Sequence, residues 1–200
     1  MPENNLGSRT NNPLAVFAPN PVGVYFENQE KGEVVILLLR QHLVSQIASL
    51  IEIIVLILVP FIAGPVVAFL KTNTLSFLEA RQVFWILVFW YLFAFGFAFY
   101  KFIHWYFNVY LLTNERIVDF DFRGILHMET AYANLNQIQD VTPKIIGFFG
   151  TFFHFGNVFI QTAAEKPEFE FLKVEKPDAV AQKILEQVRL EEGEAPGEIA

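Results

Sequence analysis

The sequence contains no cysteine, and only 18% of its residues are charged. Without cysteine the chain can form no disulfide, no thiolate nucleophile and no thiolate metal site. Its 14 Lys and Arg residues are outnumbered by 21 Asp and Glu, and they form no basic stripe of the kind that nucleic-acid binding requires. We therefore expect neither a disulfide-stabilised domain nor a nucleic-acid partner.

Motifs that indicate an enzyme are also missing from the sequence. The four histidines share no metal-ligand spacing. No serine stands in a Gly-x-Ser-x-Gly turn, and no glycine-rich phosphate loop of the Walker or dinucleotide type occurs. We accordingly predict a non-catalytic protein with no catalytic residue, no metal site and no cofactor.

Long apolar runs dominate the sequence, in which 54% of residues are hydrophobic and 23 are Phe. Ile53–Leu70 and Val83–Tyr100 are each 18 residues long and uncharged. At about 1.5 Å per residue, such a helix crosses most of a hydrocarbon core. We predict two membrane spans, at about 50–70 and 78–104.

The short connection between the two runs predicts a tight antiparallel hairpin with both chain termini on one side. Ser76–Glu79 has the form of a capping box, so the second helix is expected to start near Phe77. Basic residues near the spans favour termini on the cytoplasmic side of the cell (inner) membrane. On that side lie Lys31, Arg40, Lys101 and Arg116, against Lys71 and Arg81 in the connection.

The segments flanking the spans give four predicted regions. Residues 1–30 are expected to be a flexible N-terminal segment, and 31–106 to comprise an interfacial segment followed by the hairpin. The run Glu33–Gln46 is too short and too interrupted by charge to cross a membrane, which favours an interfacial position. A membrane-interface belt is predicted from polar and aromatic residues at the ends of the second span: Trp85, Lys101, His104, Trp105 and Tyr106.

Residues 107–190 change to short runs that alternate apolar and polar residues, which is typical of half-buried strands. Val118, Phe120 and Phe122 share one face, and we expect Asp119 and Asp121 on a solvated face opposite. Arg123-Gly124 predicts a hairpin turn. Further strands are predicted at Ile125–Tyr132, Leu135–Val141, Asn157–Thr162 and Glu168–Val174.

The end of the chain predicts a helix and then an acidic tail. The helix begins at Lys176–Asp178, with Pro and an acidic residue in its first turn. Its apolar residues recur on one face, and they are Val180, Ala181, Ile184, Leu185 and Val188. Residues 191–200 are expected to be a disordered acidic tail.

Several motifs in this order and spacing resemble the bacterial pleckstrin-homology-like (PH-like, type 2) membrane family that carries an N-terminal two-helix hairpin. They are Tyr110–Val118 (YLLTNERIV), Gly124–Leu126 (GIL), Leu135–Val141 (LNQIQDV), Gly147–Gly150 (GFFG), Phe155–Thr162 (FGNVFIQT) and Pro177–Val180 (PDAV). The resemblance covers about residues 30–190. It implies an α+β membrane protein in which a two-helix transmembrane hairpin is followed by a PH-like antiparallel β-sandwich or barrel with a C-terminal capping helix.

Eukaryotic pleckstrin-homology domains hold phosphates with several cations near the first hairpin loop. The equivalent loop here offers Asn114, Glu115 and a single cation, Arg116. One cation beside a carboxylate is a poor phosphate cradle. Phosphoinositide binding is therefore not expected, and we predict that Arg116 orders the turn.

The Phe-rich run at 145–156 is the candidate interaction loop. Its five Phe and two Ile exceed what one short connection buries in a small core, so some are expected to contact lipid or a neighbouring subunit. The alternative is that these Phe residues form the core while the glycines make turns. The loop residues are Gly147, Phe148, Phe149, Gly150, Phe152, Phe153, Phe155 and Gly156.

Three residues of the first span leave alternatives open. Glu52 is either a solvated residue at the water interface or a partner of Lys101 or His104 across the hairpin. Pro60 and Pro65 free backbone carbonyls that a neighbouring helix can satisfy, although membrane helices also tolerate proline without any function.

Together these patterns predict a non-catalytic integral membrane protein that presents a cytoplasmic PH-like domain for protein–protein or membrane-surface interaction. Its expected partners are membrane lipids and either further copies of itself or another membrane protein. The alternative is an accessory subunit of a transport or lipid-handling membrane complex.

Overall fold

The computed structural model describes residues 12–69, 79–124, 127–163 and 168–193. The chain separates into two compact units. The first, here the sheet unit, contains residues 1–45 and 104–200, and the second, the hairpin unit, contains residues 46–103. The sheet unit is therefore discontinuous in sequence.

Eight strands and four α-helices make up the described part of the chain. In order they are β1 Phe17–Pro19, β2 Val35–Arg40, α1 Ile47–Phe69, α2 Ala80–Phe107, β3 Val109–Thr113, β4 Arg116–Gly124, β5 His127–Asn134, β6 Ile138–Lys144, α3 Gly147–Phe153, β7 Phe155–Thr162, β8 Glu168–Glu175 and α4 Pro177–Glu192. Short 3-10 turns occupy Leu43–Gln46 and Leu135–Gln137.

The sheet unit has an α+β architecture consistent with a PH-like fold. Strands β1 to β5 form one antiparallel sheet in chain order, and β6 to β8 form a second. An isolated bridge between Gln41 and Val174 links the end of β2 to β8. Helix α4 packs on β6 and β7 and covers the core between the sheets.

The prediction that Glu33–Gln46 lies at a membrane interface is wrong for residues 35–40, which form strand β2 inside the sheet. Leu38 pairs with Leu111 of β3 on one side and with Ala18 of β1 on the other. Leu37 and Leu39 are at most 1% exposed. A short apolar run bounded by polar residues is also the pattern of a buried strand, and here residues on both faces of the strand are buried.

The predicted flexible segment 1–30 is ordered in its described part. Strand β1 is held against β2, and the backbone N–H of Arg40 donates to the carbonyl of Val16 at 2.8 Å. Residues 1–11 lie outside the described residues. Because β1 and β2 belong to the sheet, the PH-like domain begins well before the predicted boundary at residue 107.

The apolar face of β4 is not the face that points into the main core. Ile117 belongs to the main core, whereas Val118 and Phe120 pack in a second apolar cluster on the other side of the sheet. The sheet therefore has apolar residues on both faces, and Asp119 and Asp121 are only partly exposed.

The remaining predicted strands and the closing helix lie close to their observed positions. Strand β6 begins at Ile138, after a 3-10 turn, and not at Leu135. Gly124 ends β4 and pairs with His127, so the connection falls at residues 125–126, outside the described residues. Helix α4 buries Val180, Ala181, Ile184 and Val188, but Leu185 is 36% exposed.

The hairpin unit consists of two helices that are long and apolar enough to cross a membrane. The candidate spans, Leu43–Val66 and Ala80–Phe107, have mean hydropathies of 2.6 and 2.0, and few of their residues are buried within the protein. The predicted cap at Ser76–Glu79 lies mostly outside the described residues. In the described part, the backbone N–H of Glu79 donates to Oε1 of Gln82 at 2.8 Å and caps α2.

A side-chain hydrogen bond joins the two helices where proline interrupts the first. Pro60 has no N–H, so the carbonyl of Leu56, four residues earlier, loses its helical donor. The indole Nε1–H of Trp90 donates to that carbonyl at 2.9 Å. The donor belongs to the other helix of the hairpin, so the carbonyl freed at Pro60 is satisfied without a helix from outside the hairpin.

Glu52 takes the second of its two predicted alternatives. Its Oε2 lies 3.0 Å from Nζ of Lys101, and both side chains are partly exposed. The Lys101 ammonium also lies 5.2 Å from the ring centroid of Phe97. An ion pair at this exposure contributes about 0.2 to 1 kcal/mol, so it helps to orient the hairpin more than to stabilise it.

We expect Trp90→Phe to destabilise the hairpin by about 1 kcal/mol, because it leaves the Leu56 carbonyl without a donor in an apolar environment. In a Pro60→Ala background the destabilisation caused by Trp90→Phe is expected to be smaller, since the new N–H at position 60 donates to the same carbonyl. Unfolding of the wild type, the two single variants and the double variant in mixed micelles measures the coupling between the two residues. Trp85→Phe, at an exposed position, is the control, and equal losses from W90F in both backgrounds would contradict the assignment.

Candidate interaction site

The candidate interaction loop folds into the short helix α3 between β6 and β7. Gly147 opens it with a φ of +79°, and His154 closes it in the left-handed region at a φ of +54°. The Thr151 hydroxyl donates to the Gly147 carbonyl at 3.1 Å. Glycine is favoured at residue 147 because a side chain disfavours this backbone conformation.

Gly156 allows β7 to approach the end of β6 closely. A Cβ at this position would lie 2.5 Å from the carbonyl oxygen of Lys144, which no side chain tolerates. At Gly150 a Cβ would lie 3.0 Å from the carbonyl oxygen of Phe155. These two glycines therefore serve packing, and they hold α3 close to β7.

Four of the five Phe residues in the loop point away from the core. Phe148 is 77% exposed and Phe152 is 67% exposed, and their rings stack with centroids 6.1 Å apart. Phe149 and Phe153 are also exposed. We call these four residues the phenylalanine patch. Phe155 is half-buried, and its ring stacks on that of His42 with the centroids 5.2 Å apart.

Lys144 carries the formal charge closest in sequence to the phenylalanine patch. It precedes α3, and residues 144–154 contain no other Lys or Arg and no Asp or Glu, although the whole chain has a net charge of −7. Lys144 is exposed, with its ammonium 5.8 Å from the ring of Phe159. An exposed apolar patch beside a cation has the chemistry of a surface that contacts anionic lipid.

The five predicted belt residues have different environments. Trp85 is 53% exposed, and Lys101 is paired with Glu52. Trp105 is not available to a lipid interface, because it is only 7% exposed and its Nε1–H donates to the Gln41 carbonyl at 2.8 Å. Tyr106 lies under the guanidinium of Arg40, 4.7 Å from ring centroid to Cζ. His104 contacts Asn108 at 3.3 Å.

Arg116 forms a buried ion pair that the sequence did not indicate. Its Nε and Nη2 donate to the two carboxylate oxygens of Glu33 at 2.9 and 2.8 Å. The Thr113 hydroxyl donates to Oε1 of Glu33, also at 2.9 Å, and Arg116 donates to the Asn28 carbonyl at 2.7 Å. Its charge thus ties the segment before β2 to the β3–β4 turn, while the turn itself is held by the Thr113 hydroxyl, which donates to the Arg116 carbonyl and accepts from the Arg116 backbone N–H.

The protonation of Glu33 follows from this geometry. Burial alone would raise its pKa, but hydrogen bonds from Arg116, from the backbone N–H of Glu30 and from Thr113, together with the Arg116 charge, outweigh burial and leave the pKa below its ordinary value. Sequence separation hid the pair, since its members are 83 positions apart in the chain. No periodic pattern signals such a contact.

Among the described residues, no group of three or more His, Asp or Glu side chains is placed to hold a metal ion. The polar side chains that do converge, at Glu33, Thr113 and Arg116, are hydrogen-bonded to one another.

Comparison with known families agrees with the architecture described above. The family model for the bacterial PH domain matches residues 34–188, more than three quarters of the chain. The chain therefore belongs to the bacterial PH domain family. The matched region begins at strand β2 and includes the helical hairpin, in agreement with a domain whose first sheet is interrupted by an insertion. No curated protein and no solved structure matches the chain.

We expect Glu33→Gln to destabilise the sheet unit by about 1 to 3 kcal/mol at pH 7, because the amide breaks the bidentate ion pair and leaves Arg116 only a more distant carboxylate, Glu30, whose Oε1 lies 3.8 Å from Nη2. Since the pKa of Glu33 is lowered by folding, its contribution is complete above the ordinary value of 4.5 and is lost as the pH falls through the folded-state pKa.

Thermal unfolding at pH 7 and pH 3.5 measures this effect. The difference in unfolding midpoint between wild type and E33Q is expected to be smaller at the lower pH. Glu170→Gln, on the exposed side of β8, is the control and is expected to leave the midpoint unchanged. A difference in midpoint that stays constant with pH would contradict the role given to the Glu33 charge.

Proposed function

We propose that this protein is a non-catalytic, membrane-anchored module in which the hairpin unit spans the bilayer and the PH-like sheet unit contacts the membrane surface through the phenylalanine patch. The observation that carries the proposal is the connectivity. Two apolar helices with uncovered surfaces are inserted between β2 and β3, which are neighbouring strands of one sheet. Such helices need an apolar solvent that the protein itself does not supply.

Both termini and the sheet unit lie on the cytoplasmic side in this proposal. The distribution of basic residues supports it, with Lys31, Arg40, Lys101 and Arg116 on one side against Lys71 and Arg81 in the connection. Arg40 and Arg116 are engaged inside the sheet unit, but the orientation rule concerns the chain during insertion, when these side chains are still free.

The phenylalanine patch supports membrane-surface contact more than it supports a fold role. Moving one exposed Phe side chain into an apolar environment contributes about 1.5 to 3 kcal/mol. Four such residues, with Lys144 beside them, therefore provide a substantial contact with an anionic bilayer surface. Two alternatives involve the same patch. It contacts further copies of this chain, or it contacts another subunit of a larger transport or lipid-handling complex.

The absence of cysteine makes the orientation directly testable. We expect a single cysteine at Thr74, between the spans, to react with a membrane-impermeant maleimide in intact cells. A single cysteine at Leu190, on α4, is expected to react only after the membrane is opened. The reverse pattern would place the sheet unit outside, and release of the protein by alkaline carbonate would contradict the membrane anchor itself.

Insertion of the patch is tested with an environment-sensitive fluorophore on Phe149→Cys in full-length protein reconstituted into nanodiscs of anionic lipid. We expect nitroxide lipids to quench this probe strongly and a probe on Leu190→Cys weakly. A variant that also carries three serines is expected to show at most half of this quenching; the substitutions are Phe148→Ser, Phe152→Ser and Phe153→Ser. Because all three side chains are exposed, the unfolding midpoint is expected to stay unchanged.

Quenching of the Phe149 probe by aqueous iodide alone would contradict lipid contact. A disulfide between two Phe149→Cys chains within one nanodisc, together with weak lipid quenching, would assign the patch to self-assembly. Copurification of a second protein in fixed ratio, lost in the serine variant, would favour the accessory-subunit alternative.

A further inference from the structure

A pocket of about 620 Å³ lies on the face of the first sheet that points away from the main core. We call it the outer pocket. The segment 24–28 forms one wall, and the second apolar layer of strands β2 to β5 forms the floor. Its surface is mainly apolar and aromatic, with contributions from Phe26, Leu111, Phe120, Met128 and Tyr132. This volume is within the usual range for small-molecule sites.

The outer pocket contains a buried cation. Arg40 lines it and is only 7% exposed. Its Nε donates to the Tyr106 carbonyl at 3.0 Å and its Nη1 donates to the Ala15 carbonyl at 2.9 Å. These bonds use two of the five N–H donors of a guanidinium.

No carboxylate among the described residues forms an ion pair with Arg40. Glu27 also lines the pocket, but it is exposed at the rim. This separates Arg40 from Arg116, whose charge is matched by Glu33. Burial lowers the pKa of Arg40, as expected for a cation withdrawn from water without a counter-ion.

A buried charge without a counter-ion is costly and is retained where something else supplies the opposite charge. The shape of the pocket restricts what that can be. A small inorganic anion pairs with Arg40 but leaves the aromatic walls uncovered. A neutral hydrocarbon covers the walls but leaves the Arg40 charge without an anion. A molecule with both an apolar chain and an anionic head satisfies both.

We infer that the outer pocket binds a single-chain anionic amphiphile, with its acyl chain against the aromatic walls and its carboxylate or phosphate head on Arg40. This inference rests on the proposed membrane anchor for the source of the ligand. Tyr106 and Phe107 line the pocket and are also the last two residues of α2, so the pocket wall begins where the second span ends along the chain. Arg116 is not a lining residue, but its guanidinium lies 5.7 and 5.3 Å from the ring centroids of Phe26 and Tyr132, so its loop borders the pocket.

The test uses full-length protein in amphipol, so that no free detergent competes for the pocket. The probe is palmitate carrying a photoreactive diazirine on its chain, with crosslinked residues mapped by mass spectrometry. We expect crosslinks in the peptides that contain Phe26, Met128 and Tyr132. Unlabelled palmitate or lysophosphatidate is expected to compete at least tenfold better than hexadecanol, which has the same chain without the charge, and the better of the two anions identifies the head group.

Two variants separate the charge from the cavity. Arg40→Met removes the cation, and we expect it to reduce crosslinking at least fivefold. Thr130→Trp keeps Arg40 but fills the pocket, since Thr130 is a lining residue of the edge strand β5, and it is expected to reduce crosslinking equally. Arg189→Gln removes an exposed cation of α4 outside the pocket and is expected to have no effect. Unfolding midpoints show which variants retain the fold.

Equal competition by hexadecanol and palmitate in the wild-type protein would overturn the role of Arg40, and this result does not depend on any variant folding. Crosslinks confined to α1 and α2 would overturn the outer pocket while leaving the membrane anchor in place. Failure of the anchor is detected separately by carbonate extraction.

Discussion

The pairing of β2 with β3 is the contact on which the rest of the structure depends. Leu39 lies opposite Tyr110 across a gap of about seventy residues that contains the whole hairpin unit. Loop-closure entropy grows only slowly with length, by about 0.6 kcal/mol for each doubling, so a sheet tolerates such an insertion if its neighbouring strands are strongly apolar. The VILLLR run supplies that apolar strand. Because the two helices leave and return at adjacent strands, a helical hairpin enters the fold without altering the order of the sheet.

Three cations illustrate how burial and pairing decide what a charge does. Arg116 has a bidentate partner in Glu33 and therefore serves the fold. Lys101 pairs with Glu52 where both are partly exposed, and such a pair contributes little. Arg40 is buried against backbone carbonyls and an aromatic ring. Of the three, it is the buried cation without a carboxylate partner among the described residues, which makes its pocket the place where a ligand's charge has most effect.

The apolar surfaces of the chain divide in a comparable way. The main core is closed by α4, whose buried Ile184 faces the residues between the two sheets. Few residues of the two hairpin helices are buried, and the four side chains of the phenylalanine patch are exposed. Within the hairpin unit, Trp90 donates to the carbonyl that Pro60 frees, so this carbonyl needs no donor from a third helix. The proposed contacts with lipid or another protein therefore use the surfaces that the chain itself leaves exposed.

By itself the sequence determined the features that depend on local periodicity and length. These include the two apolar helices, most strands of the second half, the amphipathic α4 and the exposed Phe residues of α3, and the motifs were specific enough to identify the family. Only the tertiary structure decided that VILLLR is a strand, that Val118 and Phe120 face away from the main core, and that Arg116 rather than Arg40 is neutralised. Each of these depends on which distant segment covers a residue, and periodicity records the number of apolar faces without recording what lies against them.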